Sequence, residues 1–381
     1  MERIYLDHAA TSPVHPEVMD VMAAQMAEVF GNPSSIHSFG RAARHVVDTA
    51  RTAIAASVGA DFNEIIFTSG GTEADNLAII GTVRAMKDKG RHIITTAIEH
   101  HAVLHTCEQL EKEGFDVTYL PVDEMGLVQP DAVQAALRED TILVSVMYGN
   151  NEVGTIQPIS EIGEVLKDHQ ASFHTDAVQA YGLLDIDVKR EHIDLLSASG
   201  HKINGPKGIG FLYAREGLPL SPGIFGGEQE RKRRAGTENV PAIAGFAKAV
   251  ELAGQARREK AKKYIGFKKQ LIDRLTAHEV DFQLNGSLEQ ALPHVINLSF
   301  TGTDVEAMLV NLDLEGIAAS SGSACTAGSI EPSHVLVAMF GKDSDRLRNS
   351  IRFSFGFTTT EAQIDQAGRA LAQITARLTR S

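Results

Sequence analysis

Lys202 stands in the stretch "SASGHKINGPKGIG", residues 197–210, directly after a histidine and between two glycine turns. A solvent-facing lysine needs no such setting, whereas an amine that must reach one fixed point inside a pocket does. Flanked by Ser199, His201 and glycines at a strand end, the Lys202 amine can form a Schiff base with an aldehyde cofactor. Upstream, "FHTDAVQA" puts Asp176 just past a strand with Gln179 three residues on. An inward carboxylate there can keep a pyridinium nitrogen protonated and make the ring an electron sink. In "FTSGGTEADN", two glycines lead to Thr72 at a helix start, where free N–H groups and the helix dipole favour a phosphate. "EHHAVLH" supplies His100, an imidazole able to stack on a planar ring and move protons.

Each of these residues also has an ordinary structural reading. Thr72 and Asp75 read as a capping box, and Asp176 reads as a helix cap. Asn150 and Asn151 of "YGNNEVGT" are ligand contacts or turn formers. His101 and His105 are four residues apart, but no HExxH pattern or third ligand accompanies them, so a solvated helix face is expected rather than a metal. Together, a Schiff-base lysine, an aspartate, a phosphate loop and a stacking histidine meet the separate needs of one molecule, pyridoxal 5'-phosphate.

Two further residues lie toward the C-terminus. Arg352 in "IRFSFG" offers a guanidinium suited to an amino acid's α-carboxylate, or is a strand-edge arginine without a ligand. Cys325 sits in "SSGSACTAGS", residues 320–329, among side chains no larger than threonine, and reads as a nucleophile or sulfur carrier on an exposed, mobile loop. Cys107, in the helical "HAVLHTCEQL", fits a core position.

The elements that must position these groups are legible as an alternation. "EIIFTS", "HIITT", "DVTYL", "TILVSVM" and "ASFHTD" read as strands, the first four each followed by a helical pattern; "DLLSAS" and "GIGFLYA" follow. This is the signature of an α/β fold with a mainly parallel sheet, whose ligands bind beyond the carboxyl ends of the strands. A long helical stretch runs to about residue 279, and a second, smaller α+β domain begins near residue 258. The 381 residues suit two or three domains. A formal net charge of −13 argues against nucleic-acid or membrane binding by the whole surface. Two cysteines make no disulfide framework, and the N-terminus has no apolar signal core, so a reduced, cytoplasmic protein is expected.

With lysine, aspartate, histidine, arginine and loop cysteine assembled, the sequence resembles the cysteine desulfurases. The match runs through "YLDHAATSP", "GNPSSIH", "TSGGTEADNLAI", "EHHAVL", "NNEVGTIQP", "HTDAVQA", "SGHKINGPKG", "RRAGTENV", "SSGSACTAG" and "SIRFSFG". The resemblance implies the aspartate-aminotransferase fold (fold type I), with a seven-stranded sheet in a large domain of residues 14–257. Residues 1–13 and 258–381 would form the small domain that carries the cysteine loop.

It also implies roles. Lys202 would carry the cofactor, Asp176 would pair with its ring nitrogen, and Gln179 would reach the ring hydroxyl. His100 would stack on the ring and transfer protons. Gly71, Thr72, Ser199 and His201 would cup the phosphate, joined by Thr237 from a partner subunit, so a homodimer is implied. Asn151 and Arg352 would hold the carboxylate of L-cysteine, and Cys325 would take the sulfur.

No metal centre is implied, Cys325 being at most a transient iron–sulfur ligand. The basic run "EQERKRRAG" reads as a solvated loop delivering Thr237 rather than a tRNA contact. The loop matches the family branch with a long, mobile cysteine segment. The short tail after "SIRFSFG" leaves a tRNA-thiolation enzyme and an iron–sulfur scaffold as equally open sulfur acceptors. Two other readings stay open: another enzyme of this fold, such as a transaminase or selenocysteine lyase, and a non-catalytic sulfur-relay scaffold.

Overall fold

The computed structural model describes residues 3–322 and 332–379. The larger sheet has seven strands in the order Ile65–Thr68, Gly210–Ala214, Leu195–Ser199, Ser172–Asp176, Thr141–Ser145, His92–Thr96 and Asp116–Leu120. All neighbouring pairs are parallel except those of Gly210–Ala214, which runs antiparallel to both its neighbours. The expected alternation therefore holds; His92–Thr96 and Asp116–Leu120 match their runs, and the other five strands are shorter by one or two residues.

Successive strand residues alternate between two cores, because side chains leave a strand on opposite faces. Ile65, Phe67, Ile94, Val144, Phe173, Leu196 and Phe211 enter one apolar cluster, which includes Val47 and Ile54 of the helix Ser38–Ser57. Ile66, Ile93, Leu143, Leu195 and Leu212 enter the other, with Leu77 and Val83 of the helix Gly71–Met86 and Val103 and Leu110 of His101–Lys112. Burial on both faces explains why these strands read as unbroken apolar runs rather than as alternating ones.

The helix Val240–Ala277 links the two parts of the molecule. Asn239 caps it by accepting from the Ala242 N–H at 3.2 Å. Its 38 residues span about 57 Å at 1.5 Å per residue. Val240, Ile243 and Phe246 pack in the first core, whereas Tyr264, Phe267, Leu271 and Leu275 pack in a separate one. That second core holds Ile4 and Leu6 from the N-terminus together with the three-stranded antiparallel sheet Ser350–Ser354, Val295–Phe300, Phe282–Asn285. The N-terminal segment thus packs with residues hundreds of positions away, while a helix runs without interruption through position 258.

The basic run is not merely solvated. Glu230 is buried and accepts from both Arg51 Nη atoms at 2.7 Å and from the Phe67 N–H at 3.1 Å. Glu230, Arg231 and Lys232 all adopt positive φ, so this pair anchors a backbone that non-glycine residues rarely take. Cys107 is fully buried in the second-face core, and burial pushes its thiol up to about 12. None of the described helices is long and apolar enough to cross a membrane.

Candidate active site

A cavity of about 390 Å³ opens where the strands of the larger sheet end. After Ile65–Thr68 come Gly71 and Thr72, after His92–Thr96 comes His100, and after Thr141–Ser145 comes Asn151. Asp176 ends its strand with Gln179 just beyond, and Ser199 ends the next, followed by His201 and Lys202. Arg352 reaches in from the smaller sheet. A larger cavity of about 490 Å³ lies at the opposite strand ends, near Ser172, Asp194 and Arg215, and holds none of the expected residues.

Two expected residues are not among these. Thr237 lies in an exposed loop outside the cavity, and Cys325 lies outside the described residues.

Lys202 closes a short 3-10 turn, Gly200–Lys202, immediately after its strand. Its ammonium donates to the carbonyls of Ala9 and, at 3.0 Å, Ala10. Burial, reinforced by the Arg352 charge, brings the amine down to about 8, against the opposing pull of Asp176 and Asp7. A lysine so placed supplies neutral amine near neutral pH, which a solvated one does not.

Asp176 is 5% exposed, and its carboxylate accepts from the Val178 N–H at 2.9 Å. Burial raises its proton affinity, while His100, that N–H and Lys202 oppose the rise. His100 caps the helix His101–Lys112, its Nδ1 accepting from the Ala102 N–H at 3.1 Å. The neutral ring therefore carries its proton on Nε2. His201 pairs through Nδ1 with Thr11 Oγ1 at 3.1 Å, and burial followed by the Lys202 and Lys207 charges lowers it to about 4. The Gln179 amide donates to the Ala9 carbonyl at 2.9 Å and meets His294 Nε2 at 3.3 Å.

Arg352 is buried and splits its guanidinium between the Asn151 carbonyl at 2.9 Å and Asp7 Oδ1 at 2.7 Å, leaving Nε unpaired. Asn150 resolves as a turn former: its Oδ1 accepts from the N–H groups of Glu152 and Val153, and its amide donates to the Ile98 carbonyl.

The capping-box reading of Thr72 and Asp75 fails. The N-cap of Gly71–Met86 is Gly70, at φ 153°, with no side-chain cap. Thr72 is exposed at the cavity mouth, and Asp75, one turn on, lines the same cavity but is buried against the sheet. At the mouth, a Cβ on Gly71 would stand 2.7 Å from Val178 Cγ2, so only glycine lets the helix start approach this closely. His101 and His105 stack on each other at 4.9 Å, beside His334, and do not line the cavity. Among the described residues, one ligand atom each from Asp75, His100 and Asp176 lies within 4.8 Å of the others.

Sequence reasoning assigned no role to Asp7, the Ala9 and Ala10 carbonyls or Glu99, and gave Asp75 only a capping role. The first three sit in "YLDHAATSP", whose lack of apolar periodicity marks a loop but not its destination.

The aminotransferase class-V family profile matches residues 4–367. A protein of Bacillus subtilis (strain 168), provisionally named cysteine desulfurase IscS 1, is 65% identical over 379 residues, covering 100% of both chains. The cysteine desulfurase IscS of Methanosarcina thermophila is 50% identical over 98% of this chain and 92% of its own. A solved NifS-like protein superposes with a TM-score of 0.91 at 36% identity, covering 100% of both chains. The chain therefore belongs to the class-V aminotransferase family and, within it, to the cysteine desulfurases.

Proposed function

We propose that this cavity holds pyridoxal 5'-phosphate and that the protein moves sulfur from L-cysteine onto its own Cys325. The observation that carries the reading is the convergence of five strand ends on Lys202, an amine near its neutral form, beside the buried Asp176 carboxylate. The residues present fit the group. An amine and a carboxylate occupy one cavity, a helix N-terminus with a glycine cradle borders it, and Arg352 keeps an unpaired Nε.

Lys202 would anchor the cofactor, Asp176 would face its ring nitrogen and Gln179 its ring hydroxyl. Gly71, Thr72, Ser199 and His201 would take the phosphate. The cofactor, when bound, supplies an electron sink for charge developing at the substrate Cα. His100 Nε2 and the Lys202 amine are the groups positioned to carry protons. Arg352, already turned by Asp7, would receive the substrate carboxylate with Asn151.

The Cys325 thiolate would attack the substrate sulfur. The carbon–sulfur bond breaks, its electron pair stays on carbon and is protonated, and the products are alanine and a persulfide on Cys325. That sulfur would pass to an acceptor protein, either a tRNA-thiolation enzyme or an iron–sulfur scaffold, in the cytoplasm. SspA, a solved structure 40% identical over 92% of this chain and 98% of its own (TM-score 0.80), is in complex with cysteine.

The active unit would be a homodimer in which Thr237 reaches the partner's phosphate site. Ile36, Phe30 and Phe225 are 91%, 74% and 79% exposed, large apolar side chains that a second copy would cover. A large domain of residues 14–257 and a small domain of 1–13 with 258–381 would account for one helix packing Val240, Ile243 and Phe246 in one core and Tyr264, Phe267 and Leu271 in another.

A single-turnover reaction with L-cysteine tests the whole reading, with mass spectrometry of the protein and assay of alanine. One sulfur atom gained on the peptide containing Cys325, with stoichiometric alanine, is expected. Keto-acid-dependent amino transfer with no sulfur gained would make the protein a transaminase.

A further inference from the structure

Asp75 lines the cavity, is 1% exposed, and leaves Oδ1 without a hydrogen-bond partner. It projects from the helix Gly71–Met86 toward the strand ends, within 4.8 Å of an Asp176 oxygen and of a His100 nitrogen. We propose that Asp75 is a positioning residue, a neutral carboxylic acid whose O–H faces the Asp176 carboxylate and orients it as the one anion at the ring-nitrogen end of the cavity. The inference rests on the cofactor reading of this cavity.

The neighbours decide which carboxyl holds the proton. Asp176 has the Val178 N–H at 2.9 Å, with His100 and Lys202 nearby, and all three favour its ionised form. Among the described residues, Asp75 shares His100 with Asp176 but has no backbone N–H and no lysine against it. On the sheet side stands His174, whose Nε2 is 3.6 Å from Asp75 Oδ1. That imidazole sits between Ser145 Oγ and Ser197 Oγ at 2.8 and 3.0 Å, and burial lowers it to about 3, so it is neutral. Ser197 offers a hydroxyl to Asp75.

From the next loop faces Glu99, a third buried carboxyl, pushed up to about 8 by its burial. Burial, the Asp176 charge and Glu99 together hold Asp75 well above the usual carboxylate range. Two buried carboxyls within 4.8 Å of each other do not both ionise, and the one with only a hydroxyl donor, and no backbone N–H or lysine, keeps the proton. A protonated carboxyl is also the one form of Asp75 able to donate, and an Asp176 oxygen lies within 4.8 Å to receive it.

The test is infrared spectroscopy of the full-length protein, with aspartate labelled with ¹³C at the side-chain carboxyl, before and after addition of pyridoxal phosphate. The label separates aspartates from Glu99. A protonated-acid carbonyl band that shifts with the label, and that vanishes in D75N, supports the proposal. No such band, or one that persists in D75N, overturns it.

Cofactor affinity gives a second readout. D75N, isosteric and still a donor, should bind pyridoxal phosphate within about threefold of the native protein. D75A should bind it about tenfold more weakly, the loss of one hydrogen bond to a charged group. Equal weakening in both variants overturns the donor role. If the native protein fails to bind the cofactor at all, the reading of the cavity falls, while the labelled band still reports whether Asp75 carries a proton.

Discussion

Asp7 Oδ1 accepts from Arg352 Nη2 at 2.7 Å, a bond between the N-terminal segment and a strand 345 residues later. Arg352 lines the cavity, and its guanidinium is buried. Asp7 thus compensates a charge that would otherwise be costly to bury, and it fixes the plane of the fork that would receive a substrate carboxylate.

Replacing Arg352 by lysine keeps the charge and loses the planar fork. The KM for L-cysteine should rise about tenfold or more, with cofactor content unchanged. Steady-state kinetics beside cofactor absorbance checks this. An unaltered KM would mean that Arg352 holds Asp7 and Asn151 but no substrate.

Lys202 gains nucleophilicity as its proton leaves. Because burial lowers its amine to about 8, the rate at which the cofactor-free protein captures pyridoxal phosphate should climb with pH through about 8 and level off above it. An ordinary lysine would still be gaining near pH 10. Stopped-flow absorbance across that range measures the inflection. Lys202→Ala should abolish covalent capture, read as loss of the borohydride-reduced adduct on its peptide.

Cys325→Ser should leave cofactor binding intact and abolish both alanine formation and the gain of one sulfur atom. Mass spectrometry after a single exposure to L-cysteine decides it. Continued turnover in this variant would reassign the nucleophile.

The Arg51–Glu230 pair, with side-chain exposures of 3% and 2%, anchors the loop that leads to Thr237. Glu230→Ala leaves a buried guanidinium without its anion, over the Phe67 ring at 4.7 Å. It should destabilise the protein by about 3–5 kcal/mol, measured by denaturant unfolding. Sedimentation should also show a shift from dimer to monomer, since the same loop would lie at the interface.

Much of the site could be read along the chain because its residues follow strands directly. Asp176 and Ser199 are the last residues of their strands, and Lys202 sits one short turn beyond. In a parallel sheet the strand ends share one rim, so the order of apolar runs already brings these groups together. Local sequence also sufficed for Cys107, whose helical spacing marked it as core.

Only the tertiary structure decided where Asp75 and Asp7 point. Asp75 satisfies a capping pattern, yet its helix packs that face on the sheet, and packing outweighs a cap worth about 1 kcal/mol. Asn150 and Asn151 are equivalent as letters, but Asn150 turns inward to bond its own loop and leaves Asn151 on the cavity. The pairing of Asp7 with Arg352, and of Lys202 with the Ala9 and Ala10 carbonyls, joins segments with no shared local pattern. Periodicity and turn chemistry act over a few residues. Contacts closed by folding the chain's start onto its end are set by the packing of Ile4 and Leu6 into the second core.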